Sequence, residues 1–138
     1  MYLGYEGLYQ ISNLGRVKGL KRKRKHVAKC SGLVTYFWKQ EHIFNGAIDA
    51  KGYMHVRLYK DGKARLFKKH VLVAMAFLGY STKNYDRKNL NSLVIDHIDG
   101  NKQNNRLNNL RIVSQRINMM AYWEKRHERT KNNNSNID

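Results

Sequence analysis

An aspartate and a histidine stand side by side at positions 96 and 97, behind the apolar pair Val94-Ile95 and ahead of a loop rich in asparagine. Two apolar strand-forming residues deliver an adjacent carboxylate and imidazole to a strand end. Asn118 comes later, about one turn into an expected final helix. A strand–loop–strand–helix unit folds back on itself, so Asn118 can face the strand end that bears Asp96 and His97. A carboxylate oxygen and an amide oxygen together suit a hard cation such as Mg²⁺, which keeps several waters and adds substrate phosphate oxygens. An imidazole beside them is the side chain suited to take a proton from an attacking water near neutral pH. A metal and a base aimed at a phosphodiester make a hydrolytic kit. Taken singly, an Asp-His pair is more often structural and a mid-helix Asn more often a surface residue. A calcium loop over Asp96 to Asn105 is ruled out by spacing, because Ile98 occupies a ligand position.

The elements that must hold these residues are legible in turn and periodicity signals. Leu93 to Ile95 and Leu110 to Val113 read as strands, and Ser114 is placed to cap a helix in which Ile117, Met120 and Ala121 recur at helical spacing. Upstream, His70 to Leu78 reads as a buried helix closed by Gly79. Before it, Tyr53 to Tyr59 and Ala64 to Lys68 flank Asp61-Gly62, a strong signal for a two-residue hairpin turn. Along the first of these strands Met54, Val56 and Leu58 alternate with Tyr53, His55, Arg57 and Tyr59, giving one apolar and one aromatic, basic face. A ribbon with such a face can enter the major groove of DNA.

Leu33 to Trp38 reads as a further strand, and Asn13-Leu14-Gly15 as a turn between two short ones. The basic run Lys21 to His26 is expected to be an exposed flexible loop suited to phosphate contacts. Ser81 to Ser92 is a polar connection. The division that follows is a sheet-rich region over 1–69, a second region over 70–127 and a disordered tail over 128–138.

Composition points to a partner. Lys and Arg number 27 against 10 Asp and Glu, a formal charge of +17. Such an excess repels itself in a compact fold, and a polyanion is the natural reason to carry it. Nucleic acid comes first; an anionic membrane surface lacks its basic amphipathic helix here. The longest apolar stretch, Val71 to Leu78, is far too short to span a membrane, and no secretory signal opens the sequence. A soluble protein that stays in the cytoplasm is expected. Cys30 is the single cysteine, which excludes an internal disulfide and a Cys-x-x-Cys zinc ribbon.

Val94-Ile95-Asp96-His97-Ile98-Asp99-Gly100-Asn101, Asn104-Asn105, Asn109-Leu110-Arg111 and Gln115-x-x-Asn118 together resemble the HNH, or ββα-metal, motif of phage intron-encoded homing endonucleases. Tyr5 to Val17 is similar to the short N-terminal DNA-binding module of the NUMOD type found in that family. Gly52-Tyr53 through Ala74 resembles its hairpin and helix. The resemblance implies an α+β fold, an antiparallel sheet module followed by a helix and the nuclease motif. It implies a metal-dependent DNA endonuclease, with His97 as general base, Asp96 and Asn118 binding one divalent metal, and Asn109 holding the loop and orienting the His97 ring. The products would carry 5′-phosphate and 3′-hydroxyl ends. Double-stranded DNA would be the partner of a monomer working in a phage-infected bacterium. Arg16, Lys18, Lys21, Arg22, Lys23, His55, Arg57 and Arg65 are the expected DNA contacts.

Two departures stand out. Asn118 replaces the His found at that motif position in many such nucleases, and a neutral amide oxygen favours Mg²⁺ or Mn²⁺ over zinc. The C-terminal helix-turn-helix repeat of intron-encoded relatives is not found in these 138 residues. A non-catalytic DNA-binding protein and an RNA-binding module are the alternatives.

Overall fold

The computed structural model describes residues 4–83 and 85–134. Every strand pairing in it is antiparallel. Strands β1 (Tyr9–Ile11), β2 (Val17–Gly19) and β5 (His42–Phe44) form a small sheet in the order β1-β2-β5. Between β2 and β5 the chain leaves that sheet as a two-stranded ribbon, β3 (Arg22–Val27) against β4 (Val34–Lys39). A third sheet, β6-β7-β8, is built from Ala47–Ile48, Met54–Lys60 and Lys63–Lys68. Helix α1 (Lys69–Phe77) follows directly. The chain closes with β9 (Leu93–His97), a 3₁₀ turn (Leu107–Asn109), β10 (Leu110–Ser114) and α2 (Gln115–Asn134).

Local chemistry accounts for the turns. Asp61 and Gly62 both take positive φ, 49° and 75°, as a type I′ hairpin turn demands, and this sets the register Lys60↔Lys63. Helix α1 stops at Leu78 because Gly79 follows at φ 64°, the left-handed conformation that ends helices. The expected alternation in β7 is seen: Val56 and Leu58 are buried while Arg57 and Tyr59 are exposed.

One core joins the first half of the chain to α1. It consists of Tyr5, Tyr9, Val17, Val56, Leu58 and Leu72, with Leu8, Ile11, Phe44 and Phe67 packed against it. Burying a side chain of this size stabilises by about 1.5–3 kcal/mol. The Tyr9 hydroxyl donates to the Tyr59 carbonyl (3.0 Å) and accepts from the Tyr59 N–H (2.8 Å), so a polar tie crosses the same packing.

Two expectations need correction. The basic run is a strand, not a loop. Its partner β4 offers aromatic cross-strand neighbours, Trp38 to Lys23 and Tyr36 to Lys25. The lysine ammonium groups lie over those rings, Lys21 at 5.4 Å from the Trp38 centroid and Lys23 at 5.1 Å from that of Tyr36. The expected tail is also helical through Asn134. No Gly or Pro interrupts the sequence from Gln115 onward, and Lys131 in the last turn complements the helix dipole. Residues 135–138 lie outside the described residues.

Candidate active site

The β9–β10 register assigns the chemistry. Asp96 stands opposite Arg111 and His97 opposite Leu110. Strand alternation then sends His97 inward, 5% exposed, and leaves half-buried Asp96 beside the exposed Arg111. Arg111 places both Nε (2.8 Å) and Nη2 (2.7 Å) on the same oxygen, Asp96 Oδ2. The other oxygen, Oδ1, keeps its lone pairs for something else.

His97 is held by an asparagine, though not the expected one. Its Nε2 lies 3.2 Å from Asn105 Oδ1. The Asn105 Nδ2 group donates to the Gln103 carbonyl at 3.1 Å, which fixes the amide's orientation and leaves Oδ1 as an acceptor. The proton between the two must therefore sit on His97 Nε2, and Nδ1 carries the free lone pair. Asn109 is otherwise engaged. It donates to Asp99 Oδ1 and the Asn104 carbonyl, both at 2.9 Å, and accepts from the Asp99 N–H at 3.0 Å. It braces the loop but does not touch the imidazole; that part of the sequence reading is corrected. Hydrogen bonds from Asn104, from Asn109 and from the Asn101 N–H hold the Asp99 carboxyl below its ordinary range.

Ser114 caps α2, its Oγ accepting from the Ile117 N–H at 3.3 Å. The helix so started brings Asn118 to the mouth of a cavity of about 690 Å³ that Asp96 and His97 also line. The three residues singled out in the sequence share one space. The Asn118 side chain has no hydrogen-bond partner among the described residues. Asp96 Oδ1 and the Asn118 amide oxygen thus fit a hard cation that retains its waters.

The sequence reading assigns no role at this site to three further residues, Asn105, Tyr53 and His70. Tyr53 lines the same cavity, with the ammonium groups of Lys68 and Lys102 at 4.2 and 4.8 Å from its ring centroid. His70, on α1, packs edge-on against His97 with centroids 5.0 Å apart. Tyr53 and His70 lie far from His97 in sequence, and Asn105, eight residues from it, shares its loop with Asn109, whereas the Asp96–Arg111 pairing was recoverable from hairpin register.

His70 is 5% exposed and its Nδ1 has no hydrogen-bond partner among the described residues. Burial, reinforced by His97, pushes its pKa down from 6.5 to about 3. The folded chain therefore holds His70 neutral at pH values where the unfolded chain protonates it. The stability so contributed is complete above about pH 6.5 and is lost as pH falls towards 3, at up to about 1.4 kcal/mol per pH unit. Urea denaturation at pH 6.5 and pH 5 should differ by about 2 kcal/mol from this group. His70→Phe should lose that increment; an unchanged pH dependence would show that His70 is not the cause.

The expected DNA contacts separate into two groups. Arg16, Lys21, Lys23, Arg57 and Arg65 are exposed. Lys18 pairs with Glu41 at 2.6 Å, and half-buried His55 with Asp49 at 3.5 Å. Arg22 is turned into the protein, donating to the Leu8 carbonyl (2.8 Å) and the Tyr9 hydroxyl (3.1 Å). The β7–β8 register sets Arg65 opposite Leu58, on the other face from Arg57, so those two cannot serve one groove together. Arg16 and Lys18 line a separate hollow of about 400 Å³ with Tyr9, Ile11 and Ile43.

The N-terminal module also reaches the loop of the site. The Leu107 N–H donates to the Asn13 carbonyl at 2.7 Å. Gly15, at φ 76°, sits so close to Asn105 that a Cβ there would fall 2.7 Å from the Asn105 carbonyl oxygen.

Comparison with known proteins finds two family models along the chain. Residues 67–120 match the family described as HNH endonuclease, and residues 1–59 match the NUMOD4 motif. The DNA endonuclease I-HmuI of Bacillus phage SP01 is 38% identical over 118 residues, covering 84% of this chain and 52% of that protein. A solved structure, described as DNA binding and cleavage by the HNH homing endonuclease I-HmuI, superposes with a TM-score of 0.61 at 35% identity. That match covers 89% of this chain and 56% of the other. The chain spans about half the length of the curated relative it matches.

Proposed function

We propose, from the match of residues 67–120 to the HNH endonuclease family, that the chain is an HNH endonuclease and hydrolyses phosphodiester bonds in double-stranded DNA. The observation that carries this reading is the convergence of Asp96, His97 and Asn118 on one cavity in a protein of charge +17.

His97 Nδ1 takes the proton from the attacking water. Asn105 keeps Nε2 protonated, so the basic nitrogen is the one left free of the protein. Asp96 and Asn118 are the residues that would hold a single divalent ion, Mg²⁺ or Mn²⁺ by the chemistry of an oxygen-only pair. When bound, that ion supplies charge stabilisation to the phosphate and the departing oxygen. Arg111 balances the Asp96 charge and anchors the carboxylate on its far side. Asn109, by bracing Asp99 and Asn104, keeps the Asn105-bearing loop in place. Arg16, Lys21, Lys23 and Arg57 meet the DNA backbone; Lys18 and His55 join them only by releasing Glu41 and Asp49. The chain acts as a monomer in the host cytoplasm.

Supercoiled plasmid incubated with the protein and Mg²⁺ should be nicked, and a chelator should stop the reaction. Circular dichroism should not change on chelation, because two protein ligands do not hold a fold together as a structural zinc site does. Unfolding by the chelator would make the metal structural and overturn its assignment to Asp96 and Asn118. Tight plasmid binding without nicking in either metal would favour a non-catalytic DNA-binding protein, and preference for RNA hairpins an RNA-binding one.

A further inference from the structure

The cavity at Asp96 is larger than its chemistry requires. A hydrated divalent ion with six waters at about 30 Å³ each takes roughly 180 Å³, against about 690 Å³ here. The remaining space runs along α2, past Asn118. Tyr122, Trp123, Lys125, Arg126 and Arg129 line it from the helix, and Lys102 lines it from the loop after β9.

This stretch of α2 is unlike an ordinary solvated helix face. Tyr122 is 60% and Trp123 49% exposed, with their rings edge to face at 5.8 Å. The Arg126 guanidinium lies 5.7 Å from the Trp123 ring centroid. Two large aromatic rings are thus left uncovered beside four cationic side chains, on the helix that begins at the reaction centre. Scattered exposed apolar residues are normal; an aromatic pair set among cations and continuous with a catalytic cavity is the composition of a single-strand platform.

We propose that Tyr122 and Trp123 form a shelf for the nucleotide flanking the scissile phosphodiester, its base turned out of the stack and its outer phosphate held by Arg126 and Arg129. The proposal rests on the nuclease reading above and adds a substrate subsite to it. The charge around the shelf selects a polyanion, and its continuity with Asp96, His97 and Asn118 makes that polyanion the substrate itself. Stacking on the shelf repays part of the cost of leaving the duplex, which is smallest at mismatched or already unpaired steps. It also fixes the sugar–phosphate linkage against the reaction centre, so its loss should be felt in rate as well as in affinity.

The shelf can be read without turnover. Trp38 and Trp123 are the two tryptophans of the chain. In a Trp38→Phe background, Trp123 emission should therefore be quenched when supercoiled plasmid is added in chelator. In parallel, Trp123→Ala should slow Mg²⁺-dependent plasmid nicking by about 5- to 150-fold, the equivalent of one base–aromatic stack. Trp123→Phe should restore most of that rate. Absence of quenching overturns the shelf, as does an unchanged nicking rate in Trp123→Ala or a Phe variant as slow as the Ala one. Should sedimentation show that Trp123→Ala dissociates a dimer, the rings belong to a second copy of the chain and the proposal also fails. If the parent protein nicks nothing but Trp123 is quenched, the nuclease reading falls, and with it the substrate subsite; the rings are then a base-stacking site of a DNA-binding protein.

Discussion

His97→Ala should cleave DNA about 10²- to 10⁴-fold more slowly than the parent chain, the usual contribution of a general base, while binding it almost unchanged. The substitution removes the only imidazole among the three residues that converge on the cavity, yet leaves the Asp96 and Asn118 oxygens in place. Binding survives because a side chain 5% exposed adds almost nothing to a surface of 27 Lys and Arg. Asn118→Ala provides the contrast. It removes one metal-holding oxygen and no base, so part of its lost activity should return at high Mg²⁺, whereas His97→Ala should not respond. Asn105→Ala should lie between parent and His97→Ala, because the ring remains but its tautomer is no longer set. A plasmid-nicking time course and a gel shift on each variant give the readings. Wild-type cleavage by His97→Ala would remove the base from its assigned place.

Raising salt from 50 to 200 mM should weaken DNA binding by about 10³- to 10⁵-fold, if roughly six to ten phosphates are neutralised. The same count gives a slope of log K against log salt of roughly −5 to −9. The ribbon allows a sharper form of this expectation. Lys23 and Lys25 share one face of β3 and both are exposed, whereas Arg22 is spent on Leu8 and Tyr9. Replacing Lys23 and Lys25 by Ala should flatten the slope by about 2 and leave sequence preference intact, since phosphate contacts position rather than specify. Arg22→Ala should instead cost fold stability, by loosening the ribbon from the first sheet, with the slope little altered. If Arg22→Ala flattens the slope as much as the lysine pair, the ribbon is anchored some other way.

What could be read from sequence follows from how local each determinant is. The Asp61-Gly62 turn, the Gly79 helix stop and the Ser114 cap are set by one or two residues, and each is where expected. The Asp96, His97 and Asn118 convergence was visible because a strand–loop–strand–helix unit is short and folds back on itself. The partner of His97 was not visible. Asn105 and Asn109 have the same side chain in the same loop, and only the three-dimensional course of that loop decides which amide meets the ring. The strand at Arg22–Val27 was missed for a related reason. Six residues rich in charge have little strand preference alone, and it is Tyr36 and Trp38 on the facing strand that make pairing favourable. Arg22, Lys18 and His55 are expected as DNA contacts because a paired and an unpaired polar side chain look alike in sequence. Tyr53 and His70 belong to the site only through packing between α1, β7 and β9.

The buried cluster that joins Tyr5, Tyr9 and Val17 to Val56, Leu58 and Leu72 bears on inheritance. The two recognised segments end at residue 59 and begin at residue 67, the layout of cassettes that genes trade by crossing over in between. Such a crossover would leave Leu72 packed against side chains selected in another lineage. It would also set whatever residue replaced Gly15 against the backbone of Asn105. Recombinant genes should therefore survive chiefly when both parents keep a small residue at that turn and matching volumes around Leu72, so that the halves descend together.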